Sequence, residues 1–401
     1  MRNFFGAAAA FLGGATLWSG EASAHIKWFS SYDLNNIPNP PTIFANNPAW
    51  IWGMVVSTFI IVVCVGIDRF GISQSSIARR FSFTQISELN TDHLLRLSTG
   101  IWLVFVSQLP DPVFLTPETY SGNSATQNLQ LILAAFCLSR HVCWVAGLGV
   151  AFLWFLACEK FGIFHILDYP IFLGISVYLI SISISDWRNV NFQWIFHHRV
   201  FILTISLALT LAWGAIEKWS YPQWTYPLLE ARPYLTFGFS SISFMALAGW
   251  VEWVAAFTLI FGGVWTRKMS AIALLAIMLA AVLDFGFVDL IGHFPIIICL
   301  LIATFHRSAN MLDHAKLRRN LQITPAAIRK ISICFGSMAM MSIAYFFFWD
   351  LGYGNYFCVD WINGITYSSI GVLIFIVPIL CALSLVAYLC VEFCARVRRL
   401  A

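Results

Sequence analysis

The sequence predicts an all-α membrane bundle of about eleven spanning helices, and three observations predict it. Apolar runs recur along the chain, several close to the ~20 residues needed to cross a bilayer. Charged residues make up 10% of the chain and hydrophobic ones 59%, whereas soluble domains carry about 25% charged residues. The basic residues collect on one of the two sides that these runs define. Continuous apolarity, rather than alternation at every second residue, selects helices over a β-barrel. The 17 Trp suit a membrane–water boundary.

Taken in order, residues 1–24 read as a signal peptide. Arg2 opens a basic region and Phe4 to Trp18 form an apolar stretch. Ala22-Ser23-Ala24 then offers a small-x-small cleavage site. Cleavage there leaves His25 as the new N-terminus. Its α-amine and imidazole would make a bidentate nitrogen chelate of a kind copper favours, with His165 or His293 as further ligands; alternatively His25 is only the first residue of an ordered arm. Residues 25–93 hold that arm, a first span at Ala49–Ile67 and the loop Asp68–His93. Residues 94–199 hold four apolar runs, Leu94–Gln108, Leu129–Ser139, Val142–Cys158 and Ile171–Ser185. Residues 200–306 hold four more, Val200–Ile216, Ser240–Gly263, Ser270–Asp284 and Phe294–Phe305. Residues 307–401 hold a basic loop and the runs Ile331–Trp349 and Ser368–Cys394. Leu129–Ser139 and Phe294–Phe305 are short, which marks them as candidates for re-entrant or kinked elements.

Charge then orients the bundle. With His25 outside and sides alternating at each span, 18 of the 23 basic residues fall on the cytoplasmic side, among them Arg96, Arg140, Arg199, Arg267 and Lys330. Only Lys27, Lys160, Lys218 and Arg232 fall on the other side. That is the positive-inside pattern of a multi-pass protein of a bacterial inner membrane, with a periplasmic mature N-terminus and a cytoplasmic C-terminus. The acids Glu118, Asp168, Glu217 and Asp289 map to the outer side. The net charge, 23 − 19 = +4, is too small to suggest a nucleic-acid partner. The expected contacts are lipid and, through the long outer segments, periplasmic or membrane proteins. No C-x-x-C pair occurs, which argues against dithiol–disulfide exchange.

The two groups of four runs resemble each other. In each, a basic residue (Arg140; Arg267) opens the third run, which ends at Phe-Gly (Phe161-Gly162; Phe285-Gly286). An aromatic-Pro pair (Tyr169-Pro170; Phe294-Pro295) then opens the fourth, with Pro suited to the first helical turn. Four spans return the chain to its starting side, so the units would be parallel repeats, as in some transporters; convergence of two ordinary hairpins is the alternative.

Three stretches carry a family resemblance: Trp213-Gly214-Ala215-Ile216-Glu217-Lys218-Trp219, Ala248-Gly249-Trp250-Val251-Glu252, and Asp284 to Pro295 ending in Gly292-His293-Phe294-Pro295. In these the second unit resembles the DoxX family of four-helix membrane proteins; the first unit resembles it more weakly. The resemblance implies a four-helix unit and, in some members, quinone-linked sulfur oxidation. The family has no single agreed catalytic set, so it implies no roles for individual residues.

Glu252 lies near the middle of an apolar run, where a lipid-facing acid costs several kcal/mol. Small neighbours at helical spacing (Ala248, Gly249, Ala255, Ala256) turn it towards the bundle, with Lys218 or His293 as partner. It is either a paired structural acid or a proton-relay or quinone-headgroup residue. Glu217, Lys218, Asp284, Asp289 and His293 are expected at one depth above it, as a polar cluster or as separate rim charges. His165 and Asp168 hold the corresponding loop of the first unit. Three functions follow as expectations: a quinone- or redox-linked membrane component, a small-solute or copper transporter, and a non-catalytic scaffold. No nucleotide-binding, haem-attachment or hydrolase motif is present.

Overall fold

In the computed structural model, the described residues are 27, 32–39, 44, 47–70, 88–184, 190–306 and 323–353. They form twelve α-helices and no strand. Helix α1 (Pro48–Phe70) starts where Asn47 Oδ1 accepts the Ala49 amide at 2.9 Å and Pro48 supplies a pre-set first turn. One face of it (Ile51, Trp52, Val55, Val56, Phe59) is exposed and apolar, as lipid demands. Four helices follow in the first unit: α2 (Glu88–Ser107), α3 (Ala125–Phe136), α4 (Cys143–Phe161) and, after the single turn α5 (Ile163–Ile166), α6 (Ile171–Ile184). The second unit holds α7 (Val190–Ser220), α9 (Ser241–Phe261), α10 (Val264–Phe285) and α11 (Phe287–Phe305), with the short α8 (Tyr226–Ala231) between α7 and α9. Helix α12 (Ile323–Tyr353) lies against α1, α5, α7 and α9.

The eight longer helices of the two units close a ring: α2, α3, α4, α6, α7, α9, α10, α11 and back to α2. Inside it α2 also meets α6, and α7 meets α11. Each unit's fourth helix thus packs on the first helix of the other. Most of α7, α9 and α11 is buried, while α1 and α10 show lipid most of their surface. Trp102, Trp219 and Tyr178 are among the largest fully buried side chains. In lipid such packing holds helices together, since apolar burial from water is not available there.

The Phe-Gly pairs act alike in both units. Gly162 (φ 84°) ends α4 and Gly286 (φ 83°) ends α10, each donating its amide to the carbonyl four residues back at 2.8–2.9 Å. A side chain at these dihedrals is strained, so glycine is needed to turn the chain sharply.

Seven of the described helices are long and apolar enough to cross a membrane. The expected eleven are not reached: α3 and α6 have 12 and 14 residues, α2 carries Glu88, Asp92 and Arg96 in its first half, and Ser368–Cys394 lies outside the described residues. The run Phe294–Phe305 is the later part of a longer helix, because α11 begins at Phe287, directly after Gly286, and its 19 residues are long and apolar enough to cross a membrane. Pro295 is therefore inside the helix and not in its first turn. It leaves the Ile291 carbonyl without its helical donor.

Candidate functional site

The two ends of the bundle differ. At one end Asp68 takes Lys330 Nζ (3.0 Å), the Gly263 amide and the Thr266 hydroxyl, and Asp92 takes Arg199 and the Tyr178 hydroxyl. These pairs tie α1 to α12 and to the α9–α10 turn, and α2 to α6 and α7. The arm 32–39 lies at the other end. The Asn39 amide donates to the Ser220 carbonyl (2.8 Å), the Tyr221 hydroxyl to the Asn36 carbonyl (2.8 Å), and Trp349 Nε1 to the Leu34 carbonyl (2.8 Å).

Beneath the arm is a buried group of charges. Lys27, 1% exposed in its side chain, donates a short hydrogen bond to Asp168 and lies 2.5 Å from Glu217 Oε2, whose side chains are 4% and 6% exposed. Glu118 completes the set: its Oε1 accepts from the Tyr169 hydroxyl at 2.6 Å and lies 3.2 Å from His165 Nε2. Each residue is placed by its own local structure. Glu118 sits in a tight loop in which the Phe114 amide meets the Thr119 carbonyl (2.9 Å) and Gln130 Nε2 donates to the Val113 carbonyl (2.8 Å). His165 is on α5, the turn that Gly162 permits. Asp168 and Tyr169 lead into α6, with the Tyr169 carbonyl held by Trp154 Nε1 at 3.1 Å. Glu217 closes α7 from the second unit.

Aromatic rings frame the group. Tyr32 lies 5.6 Å from both His165 and Trp224, Trp224 stacks on Tyr221 at 3.9 Å, and Tyr345 is 6.4 Å from Tyr221 and 4.8 Å from Trp213. The Lys27 ammonium is 5.8 Å over Trp224, within cation–π reach. Burial by itself lowers the pKa of this ammonium, but Asp168, Glu217 and Glu118 outweigh it and hold the group above the ordinary lysine range. Burial pushes the Tyr32 phenol up, and Glu118 adds to it. Asp168 Oδ1, the Tyr345 hydroxyl and the indole nitrogens of Trp213 and Trp224 are buried without a hydrogen-bond partner among the described residues.

The candidates read from the sequence are spread over separate ion pairs. Glu252 takes Lys218 at 2.8 Å, with side chains 14% and 24% exposed. The turn of Glu252 into the bundle is as expected, and of its two expected partners Lys218 is the one it meets. Asp284 takes Arg232 (2.9 Å) and the Tyr234 hydroxyl (2.6 Å). Asp289 takes His293 (2.9 Å), one helical turn away on α11, both buried, with Phe105 against Phe287 and Phe294 nearby. Only Glu217 joins the buried group under the arm, together with His165 and Asp168. Lys27, Tyr169 and Tyr32 were not singled out. The one available signal was a lone lysine in an arm expected on the same side as most of the acids. His25 lies outside the described residues. Among the described residues no group of three or more His, Cys, Asp or Glu is arranged to hold a metal ion.

Comparison of the chain with protein-family models, curated proteins and solved structures finds no match, so the DoxX resemblance rests on the residues quoted for it.

Proposed function

We propose that this chain is a proton-linked carrier of a small solute, working at the seam between its two four-helix units. The observation that carries this reading is the buried group beneath the arm: three carboxylates, Glu118, Asp168 and Glu217, face one lysine and one histidine. Like charges cannot all ionise in a site that excludes water. Among the described residues three acids meet two cations even with His165 protonated, a balance in which a carboxylate can take up a proton. Asp168 comes from the first unit and Glu217 from the second, so a change of protonation acts on the contact between units. The reciprocal packing of fourth helices on first helices, and the matched glycine turns at Gly162 and Gly286, support a parallel duplication of the kind seen in transporters. The end bearing the arm is read as the outer face, because the cations of the far end mark the cytoplasmic side.

Two measurements test this. Infrared difference spectra on titration should show the carbonyl stretch of a protonated carboxylic acid near neutral pH, lost in Glu217→Gln or Asp168→Asn; spectra without that band would sink the reading. In proteoliposomes, a pH gradient should collapse when a dialysable mixture of small solutes is added, and persist with Glu217→Gln; a gradient that survives every fraction has the same force.

A second reading, a quinone-linked redox component, has its own observation. The His293–Asp289 pair can exchange a proton with a bound headgroup, and it sits beside Phe105 and Phe294 in the unit that resembles DoxX. Organic extracts of the purified protein should then contain a quinone that is depleted in His293→Ala. Equal amounts in both would remove this reading.

A further inference from the structure

We infer that Lys27 is the tethered occupant of a binding seat for small organic cations carrying a primary ammonium group. The inference deepens the carrier reading, on which it rests for movement of the ligand but not for its binding. The described groups that meet the Lys27 head group suit an ammonium ion. Asp168 and Glu217 contact it, the Glu118 carboxylate adds its charge, and Trp224 offers its ring face at 5.8 Å. An ammonium donates three hydrogen bonds, and these two carboxylates with an aromatic face are the usual means of holding one.

The seat holds more than a lysine uses. Asp168 Oδ1 remains an open acceptor and the Trp224 indole nitrogen an open donor. Buried polar atoms left without partners are uncommon and call for a cause. An open acceptor and an open donor on two residues that meet the bound cation suit a ligand that carries further polar groups of its own.

The occupant is also of a removable kind. Lys27 belongs to the arm and to no helix of the ring. Among the described residues the arm meets the bundle through hydrogen bonds of Leu34, Asn36 and Asn39 to Trp349, Tyr221, Ser220 and Gln223 and through the Tyr32 ring against His165 and Trp224. The carboxylates, in contrast, belong to the two units. A free cation that displaces Lys27 would therefore bridge the same two units and release the arm. Protonation of the carboxylates would expel that cation, which links its passage to a proton moving the other way.

The test uses the full chain in detergent and in proteoliposomes, with n-propylammonium as probe and n-propanol as the uncharged control. Hydrogen exchange at the Asn39 amide should rise saturably with n-propylammonium and stay unchanged with n-propanol or with sodium chloride of equal ionic strength. Lys27→Ala should bind the probe at least about tenfold more tightly than wild type by tryptophan fluorescence, because the competing arm cation is gone. Adding Glu217→Gln should reverse that gain. If the probe binds Lys27→Ala while the wild-type arm never responds, the seat is only a hole left by deletion and the inference is overturned. An absence of binding to both proteins overturns it too. Should Lys27→Ala fail to fold, the exchange experiment on wild type decides alone. Binding to both proteins with no collapse of a pH gradient would leave the seat standing and remove the carrier.

Discussion

Lys27 and Lys218 are two lysines with carboxylate partners, and their surroundings give them different weight. Lys27 is enclosed with two contacting acids; Lys218 and Glu252 are partly open. Removing one partner of an enclosed pair strands the other charge, which costs about 3–5 kcal/mol. Polar contacts between membrane helices average about 0.6 kcal/mol. Lys27→Met should therefore lower thermal stability in detergent far more than Lys218→Met, and adding Glu217→Gln to Lys27→Met should recover part of the loss. Equal destabilisation by the two lysine variants would contradict this ranking. The Lys27 contribution also has a sign in pH. Its folded-state pKa is raised above the unfolded value, so its stabilisation is complete below about pH 10.4 and fades only as pH rises through the higher folded-state value. In a Glu217→Gln background, which removes a neighbouring acid that titrates, the stability gap between Lys27 and Lys27→Met should thus be flat across neutral pH and narrow only in strong alkali. A gap that closed below pH ~9 would place the lysine pKa on the wrong side of its ordinary value.

At the scale of the element, the turns after α4 and α10 do the same work with the same residue. A β-carbon at φ near +84° costs about 1–2 kcal/mol, so Gly162→Ala and Gly286→Ala should each destabilise by that order in a thermal unfolding assay; a neutral result at both would mean these turns bend another way. Gly249 on α9 faces a different demand. A β-carbon there would come within 2.1 Å of Trp219 Nε1, whose N–H donates to the Ala246 carbonyl. Gly249→Ala should push α9 from α7 at about 1–3 kcal/mol, and Trp219 fluorescence should shift as its ring moves. An unchanged spectrum with unchanged stability would show that the ring yields freely.

For the whole molecule, the proposed orientation rests on the partition of charge. Phe237 is 84% exposed, on the same side as Asp284 and Arg232, and so belongs to the end read as outer. In a cysteine-free background, Phe237→Cys should react with a membrane-impermeant maleimide in intact cells, whereas Ile328→Cys, on the exposed surface near the start of α12, should react only after lysis. The reverse pattern would turn the molecule over and remove the outer placement of the seat.

The helical class was legible in the residues themselves. A backbone in lipid has to satisfy its hydrogen bonds within its own helix, so each long apolar run carries that outcome locally. The side to which cations go is equally local, because the cost of moving a charge across lipid belongs to that residue. The start of α11 was less legible: the apolar run from Phe294 hid seven earlier helical residues, Asp289 and His293 among them, whose polarity reads as loop until they pair with each other. The partners of the acids were out of reach. Lys27 and Asp168 are 141 residues apart, and Lys218 and Glu252 are 34 apart. Which of the four cations Lys27, Lys160, Lys218 and Arg232 meets which acid depends on which helices become neighbours, and the closing of the ring through α6–α7 and α11–α2 decides that. Composition determined that this chain is helical and membrane-embedded. Only the tertiary packing decided that three carboxylates converge on one lysine, because that convergence is a property of distances between helices and not of any stretch of chain.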